Sequence, residues 1–143
     1  MLAAMGMPAS LPPGAEPISV GGFNKYIGPL YRLPDEEAGR VKRFAFLVSD
    51  KHMNAVATVH GGMLMSFVDI SMSRTVRLIT EAARCSTVSL NCDFVGPGKL
   101  GDLIESRVRL TRRTRSLVFL SAEIAAADRL LVSAAGLWKI GGA

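Results

Sequence analysis

Nothing restricts the fold of this chain more than the stretch that begins His60-Gly61-Gly62. There a polar loop gives way to an apolar run admitting a single carboxylate, Asp69. Read at a helical period, Met63, Phe67, Ile70, Arg74 and Arg77 share one stripe; Leu64, Val68, Met72, Thr75 and Ile79 share another. The pattern predicts a helix from about residue 61 to 82, apolar around most of its circumference until Arg74. A helix of that kind has to be buried on several sides.

The strands that bury it are legible as alternation. Residues 26–33 and 39–50 read as two strands before the helix, the first ending at Pro34, and residues 52–58 as a loop. After the helix, residues 84–95 alternate, with Val88, Leu90, Cys92 and Phe94 on one face and Thr87, Ser89, Asn91 and Asp93 on the other. Gly96-Pro97-Gly98 ends that strand. Residues 102–110, 117–127 and 130–140 follow with short turns between them, an antiparallel meander. The expectation is an α+β fold, one long central helix wrapped by a curved antiparallel sheet of five to six strands. Residues 1–25, rich in Gly, Pro and small residues, are expected to be a flexible tail, and residues 26–143 a single domain.

Composition narrows the class. With 49% apolar and 20% charged residues, the chain has the balance of a folded globule. No apolar run reaches the roughly 18 residues of a membrane helix, and residues 1–15 carry no basic residue, so neither a secretory signal nor a transit peptide is predicted. The expected location is cytoplasmic. Cys85 and Cys92 fall in one predicted strand, about 23 Å apart if it is straight, too far for a disulfide. Two cysteines and two histidines lack metal-ligand spacing, so no metal site is predicted. The net charge of +5 fits general solubility first and an anionic partner second. Aromatic residues are 6% of the chain, too few for the interleaved basic and aromatic surface that nucleic acid would need. His52 is expected in an exposed loop, and Trp138 in core or interface packing.

Chemistry points to the helix start. First-turn amides lack intrahelical partners, and the dipole adds positive potential there. Gly61 and Gly62 would let a substrate oxygen approach those amides, as an oxyanion does in acyl transfer, with Asn54 and His60 flanking the point. The plainer reading, that Gly-Gly merely eases a tight junction, is favoured for the dipeptide alone. Asp69 is either a general base or nucleophile, or a buried structural carboxylate served by Ser66 or Ser73. Gly61 and Asp69 lie eight residues apart, about 12 Å along a helix, so one chain does not bring both to one carbon. Two copies with antiparallel helices would, which makes a homodimer the expected working unit.

Asn54, five residues, His60-Gly61-Gly62, then Asp69 seven residues beyond the second glycine, set before a meander, resembles the hotdog-fold acyl-CoA thioesterases, in particular their phenylacetate-degradation branch. The resemblance covers residues 28–140. It implies a substrate carbonyl polarised by the Gly61 amide and the Asn54 side chain, with His60 assisting. Asp69 of the other subunit would then activate water or attack directly. In that branch a hydroxyl on the strand after the helix orients the water. Thr87 stands at the matching distance, although the alternation leaves Ser86 as its rival. Ala57 stands where family members commonly carry Gly.

Coenzyme A is implied as part of the substrate rather than as a cofactor. Its phosphates would be met by Arg112, Arg113 and Arg115 at the meander's tightest turn, which would otherwise be a solvated hairpin end. The resemblance thus implies an enzyme that hydrolyses a small or medium acyl thioester, aryl-acyl included, as a dimer or a dimer of dimers. A hotdog dehydratase and a non-catalytic acyl-CoA-binding module are the rival readings.

Overall fold

The computed structural model describes residues 10–141. In chain order the elements are β1 (Glu16–Pro17), α1 (Phe23–Ile27), β2 (Tyr31–Glu36), β3 (Val41–Leu47), α2 (Gly61–Thr80), β4 (Cys85–Phe94), β5 (Leu103–Arg113), β6 (Leu117–Ala126) and β7 (Arg129–Ile140). All seven strands belong to one antiparallel sheet in the order β1-β2-β3-β5-β6-β7-β4. The hotdog architecture is present, with seven strands among the described residues rather than five to six.

The extra strand comes from the segment expected to be tail. Glu16 and Pro17 pair with Arg32 and Tyr31, and Phe23–Ile27 form a short helix. Residues 1–9 and 142–143 lie outside the described residues. The second strand also differs from expectation: it begins at Tyr31 and runs through Pro34 instead of ending there. Its register against β3 shifts between Leu33 and Glu36, so the proline, which has no N–H to donate, sits in an irregularity of the ladder.

The helix is buried where its two stripes are apolar. Met63, Leu64, Phe67, Val68, Ile70, Met72 and Val76 all lie in the core. They meet the inner faces of the meander, where period-two alternation buries Val118, Leu120, Ala122 and Ile124 of β6 and Ile104 and Val108 of β5. Trp138 is fully buried in that core.

Polar ties hold the helix to the sheet. Ser106 donates to Ser71 (2.8 Å) and the Trp138 indole donates to Ser73 (3.0 Å), so both helix hydroxyls have partners, on β5 and β7. Because the ties reach different strands, the helix is fixed in rotation as well as in position. Ser66 donates to the Gly62 carbonyl of its own helix (2.7 Å). Neither serine is therefore the partner of Asp69.

His52 is not in an exposed loop. It is 3% exposed, edge-on to Phe46, with Nδ1 accepting from the Ser49 amide (3.0 Å) and Nε2 donating to the Ile27 carbonyl (2.6 Å). Its backbone carbonyl accepts from the His60 amide (2.8 Å). A residue that looks like loop thus anchors the approach to α2.

Candidate active site

The loop before α2 is closed on itself. The Asn54 side-chain oxygen accepts from the amides of Val56 and Thr58 (3.0 Å each), and its Nδ2 donates to Thr58 Oγ1 (2.8 Å). Val59 ties the loop to the turn after β4 by donating to Gly98 (2.9 Å). Gly98 has to be glycine, because a Cβ there would stand 2.8 Å from the Val59 side chain. Ala57 adopts φ 63°, a left-handed conformation in which its Cβ is strained. Its place in a family pattern that commonly has Gly is thereby explained: the loop keeps the glycine-like backbone in spite of the side chain.

His60 is the N-cap of α2, and its Nδ1 accepts from the Gly62 amide (2.7 Å). A cap made through Nδ1 places the proton of the neutral ring on Nε2. Gly62 is needed for this geometry, since a Cβ at that position would lie 2.9 Å from His60 Nδ1. The Gly62 amide, expected to contact substrate, donates to His60 within this chain, and the imidazole lies in the space its missing side chain leaves.

The rest of the first turn can then be counted. Met63 and Leu64 both donate to the His60 carbonyl (2.9 and 3.1 Å). Among the described residues no acceptor takes the Gly61 amide. One N–H is left at the positive end of a 20-residue helix, beside the exposed ring of Phe94. Nothing local in the sequence marks Phe94, because only the fold brings the end of β4 back to the start of α2.

Asp69 is half-buried on the flank of α2 that faces β4, where it accepts a hydrogen bond from Thr87 Oγ1 at 2.6 Å. Simple alternation places Thr87 on the face away from Leu90 and Cys92. The structure reverses this through a β-bulge: Thr87 pairs with Trp138 while Ser89 pairs with Leu137, so Val88 is an extra residue. The parity of the strand flips there, Thr87 turns towards the helix, and its neighbour Ser86 takes the opposite side. Cys85 and Cys92 are both free thiols, pushed up from their usual pKa by burial.

The arginines of the meander turn are not brought to this region within one chain. Arg113 donates to the Ile79 carbonyl (3.4 Å) at the C-terminal end of α2, about 27 Å along the helix from Gly61. Arg112, near the end of β5, and Arg115, in the turn to β6, share that end of the molecule. Among the described residues, nothing within one chain brings the three to the Gly61 amide.

A long helix cradled by an antiparallel sheet, with one unclaimed amide at its start and a hydroxyl-bound carboxylate on its flank, defines a protein of the hotdog thioesterase class. Comparison with known proteins agrees. The model of the thioesterase superfamily matches residues 57–133, and the chain belongs to that family of thioester hydrolases. It is 29% identical over 115 residues to a Pseudomonas aeruginosa protein provisionally described as an esterase, covering 80% of this chain and 84% of that one. Human acyl-coenzyme A thioesterase 13 is 32% identical over 78 residues, a match that covers 54% of this chain and about half (55%) of the human protein. Among solved structures, a thioesterase-type, phenylacetic acid degradation-related protein from Ralstonia eutropha superposes with a TM-score of 0.73 at 25% identity, covering 86% of this chain and 92% of its own.

Proposed function

We propose that this chain is an acyl-CoA thioesterase acting on a small or medium acyl or aryl-acyl group, with each site shared between two copies. The observation that carries the reading is the unclaimed Gly61 amide: the cap, the helix and the loop satisfy every other donor of the first turn. A thioester carbonyl seated there would receive the Gly61 N–H and the second Nδ2 hydrogen of Asn54, whose first is held by Thr58. Both donors would strengthen as the oxygen takes on negative charge. His60 acts indirectly, by keeping Gly62 occupied and the helix start in register.

Asp69 supplies the attack. As general base it takes a proton from water while the water oxygen bonds to the carbonyl carbon. When the carbon–sulfur bond breaks, that proton passes to the departing thiolate. The Thr87 hydroxyl holds the carboxylate in one orientation. Attack by Asp69 itself, through a mixed anhydride later hydrolysed, uses the same donors.

Because Gly61 and Asp69 are about 12 Å apart along one helix, the base is drawn from a second copy whose helix runs antiparallel. The sheet supports such pairing. β4 is an edge strand of 10 residues. Val88 and Phe94 on it, Val95 just after it and Met65 on the helix are exposed apolar residues.

The test is free-thiol release from a panel of acyl-CoA thioesters. Wild type is expected to turn over at least one medium-chain or aryl-acyl member, and Asp69→Asn to bind it but lose turnover by about a hundredfold or more. Undiminished turnover by Asp69→Asn sinks the assignment of the base.

A further inference from the structure

The flank of α2 opposite Asp69 holds a second concentration of chemistry that hydrolysis does not use. Arg74 lies five residues beyond Asp69, about 140° further round the helix, and so faces the β2–β3 side of the sheet rather than β4. There Arg32, Arg74 and Arg77 line an open cavity of about 400 Å³ whose walls are Ile18, Phe44 and Leu78.

The three guanidiniums are unequally satisfied. Arg32 pairs with Asp35 (3.1 Å), a carboxylate it shares with Lys42 (2.7 Å). Arg74 is half-buried and spends one donor on the Ser19 carbonyl (2.6 Å); among the described residues no carboxylate pairs with it or with Arg77. Burial, together with the like charge of Arg77 beside it, pushes the Arg74 pKa down. The negative end of the helix dipole accounts for Arg77 in the last turn. It does not account for Arg74, one turn earlier and drawn towards β1.

We propose that this cavity is a second binding site, for a small carboxylate with an apolar body, its head forked between Arg74 and Arg77 and its body laid on Ile18, Phe44 and Leu78. Two neighbouring guanidiniums with spare planar donors match one carboxylate, and the mutual repulsion they carry when empty is relieved by a single negative charge. The aliphatic and aromatic walls discriminate against a compact inorganic anion, which has nothing to lay on them. Occupancy of this site does not depend on thioester hydrolysis, since none of its residues touches Gly61, Asp69 or Thr87.

Isothermal titration of the full chain with octanoate, phenylacetate, 1-octanol and inorganic phosphate tests the site. Saturable octanoate binding is expected, weakened at least about tenfold (about 1.4 kcal/mol) by Arg74→Gln with Arg77→Gln and unchanged by Asp69→Asn. Arg77 is exposed, so Arg77→Gln alone should leave the melting temperature in place and weaken octanoate about threefold or more. Octanoate affinity within twofold of wild type in Arg77→Gln, or abolished by Asp69→Asn, would overturn the proposal. Phosphate binding as tightly as octanoate would show a plain anion site, and 1-octanol binding as tightly a plain apolar one. Either result refutes the carboxylate assignment.

Discussion

Gly61→Pro removes one hydrogen atom from the proposed chemistry and little else. Gly61 is the first helical residue, where proline is well tolerated because its N–H has no helical partner. His60 already has φ −60° and ψ 133°, the extended conformation that a following proline requires. A Cβ at Gly61 would meet the Phe94 ring at 3.6 Å, ordinary contact, so that atom introduces no clash. Folding stability is therefore expected to change by less than about 1 kcal/mol.

Turnover should respond very differently. Loss of one oxyanion donor costs about 10²- to 10³-fold in kcat, equivalent to about 2.7–4 kcal/mol. Gly61→Ala, which keeps the N–H and adds the same Cβ, is the control and should stay within a fewfold of wild type. Thiol release at saturating acyl-CoA, read beside thermal melting, separates the two effects. Mixing Gly61→Pro chains with Asp69→Asn chains adds a sharper reading. A mixed dimer has one site with both lesions and one with neither, so equal amounts reassorted at random should recover about a quarter of wild-type activity. If Gly61→Pro folds and turns over within threefold of wild type, the amide is not the oxyanion donor and the argument from the first turn fails.

Two further outcomes follow from particular contacts. Thr87→Val removes the 2.6 Å hydrogen bond to Asp69 and should lower kcat about 10- to 150-fold, the equivalent of one hydrogen bond to a charged group, whereas Thr87→Ser should restore most of it. Ser86→Ala, on the other face of β4, should change kcat less than twofold; comparable losses in Ser86→Ala and Thr87→Val would contradict the bulge. Burial, which outweighs the opposing hydrogen bond to the Ile27 carbonyl, lowers the folded-state pKa of His52, with the Lys51 charge adding to the drop. The unfolded chain therefore takes up its proton first as the pH falls below about 6.5, and the stability that neutral His52 provides is present above that pH and lost below it. Urea unfolding at pH 7.5 and 5.5 should show that loss in wild type and a flatter response in His52→Gln; identical slopes would remove His52 as the cause.

Local chemistry and local periodicity determined much of this molecule before any packing was considered. The apolar stripes of residues 61–80 demand a buried helix, and His-Gly-Gly marks its beginning because those residues cap and clear a helix start. The turns at Gly96–Gly98 and at Asp128 separate strands whose alternation any neighbour would have to respect. Asp69 stood out because a carboxylate in an apolar run needs a reason.

Contacts between residues distant in sequence decided the remainder. Alternation assigned Thr87 to the wrong face because a bulge at Val88 inverts the parity of β4, and a bulge is settled by the partner strand, β7. Gly61 and Gly62 look equivalent in the chain, yet the His60 ring claims one amide and leaves the other. Buried His52, Phe94 beside Gly61 and the arginines facing β2 all depend on which strands surround the helix. Sequence specifies which residues want burial, caps or turns, because those preferences are local. Which amide stays free and which hydroxyl meets the carboxylate is set by how the helix is rotated and seated in the sheet.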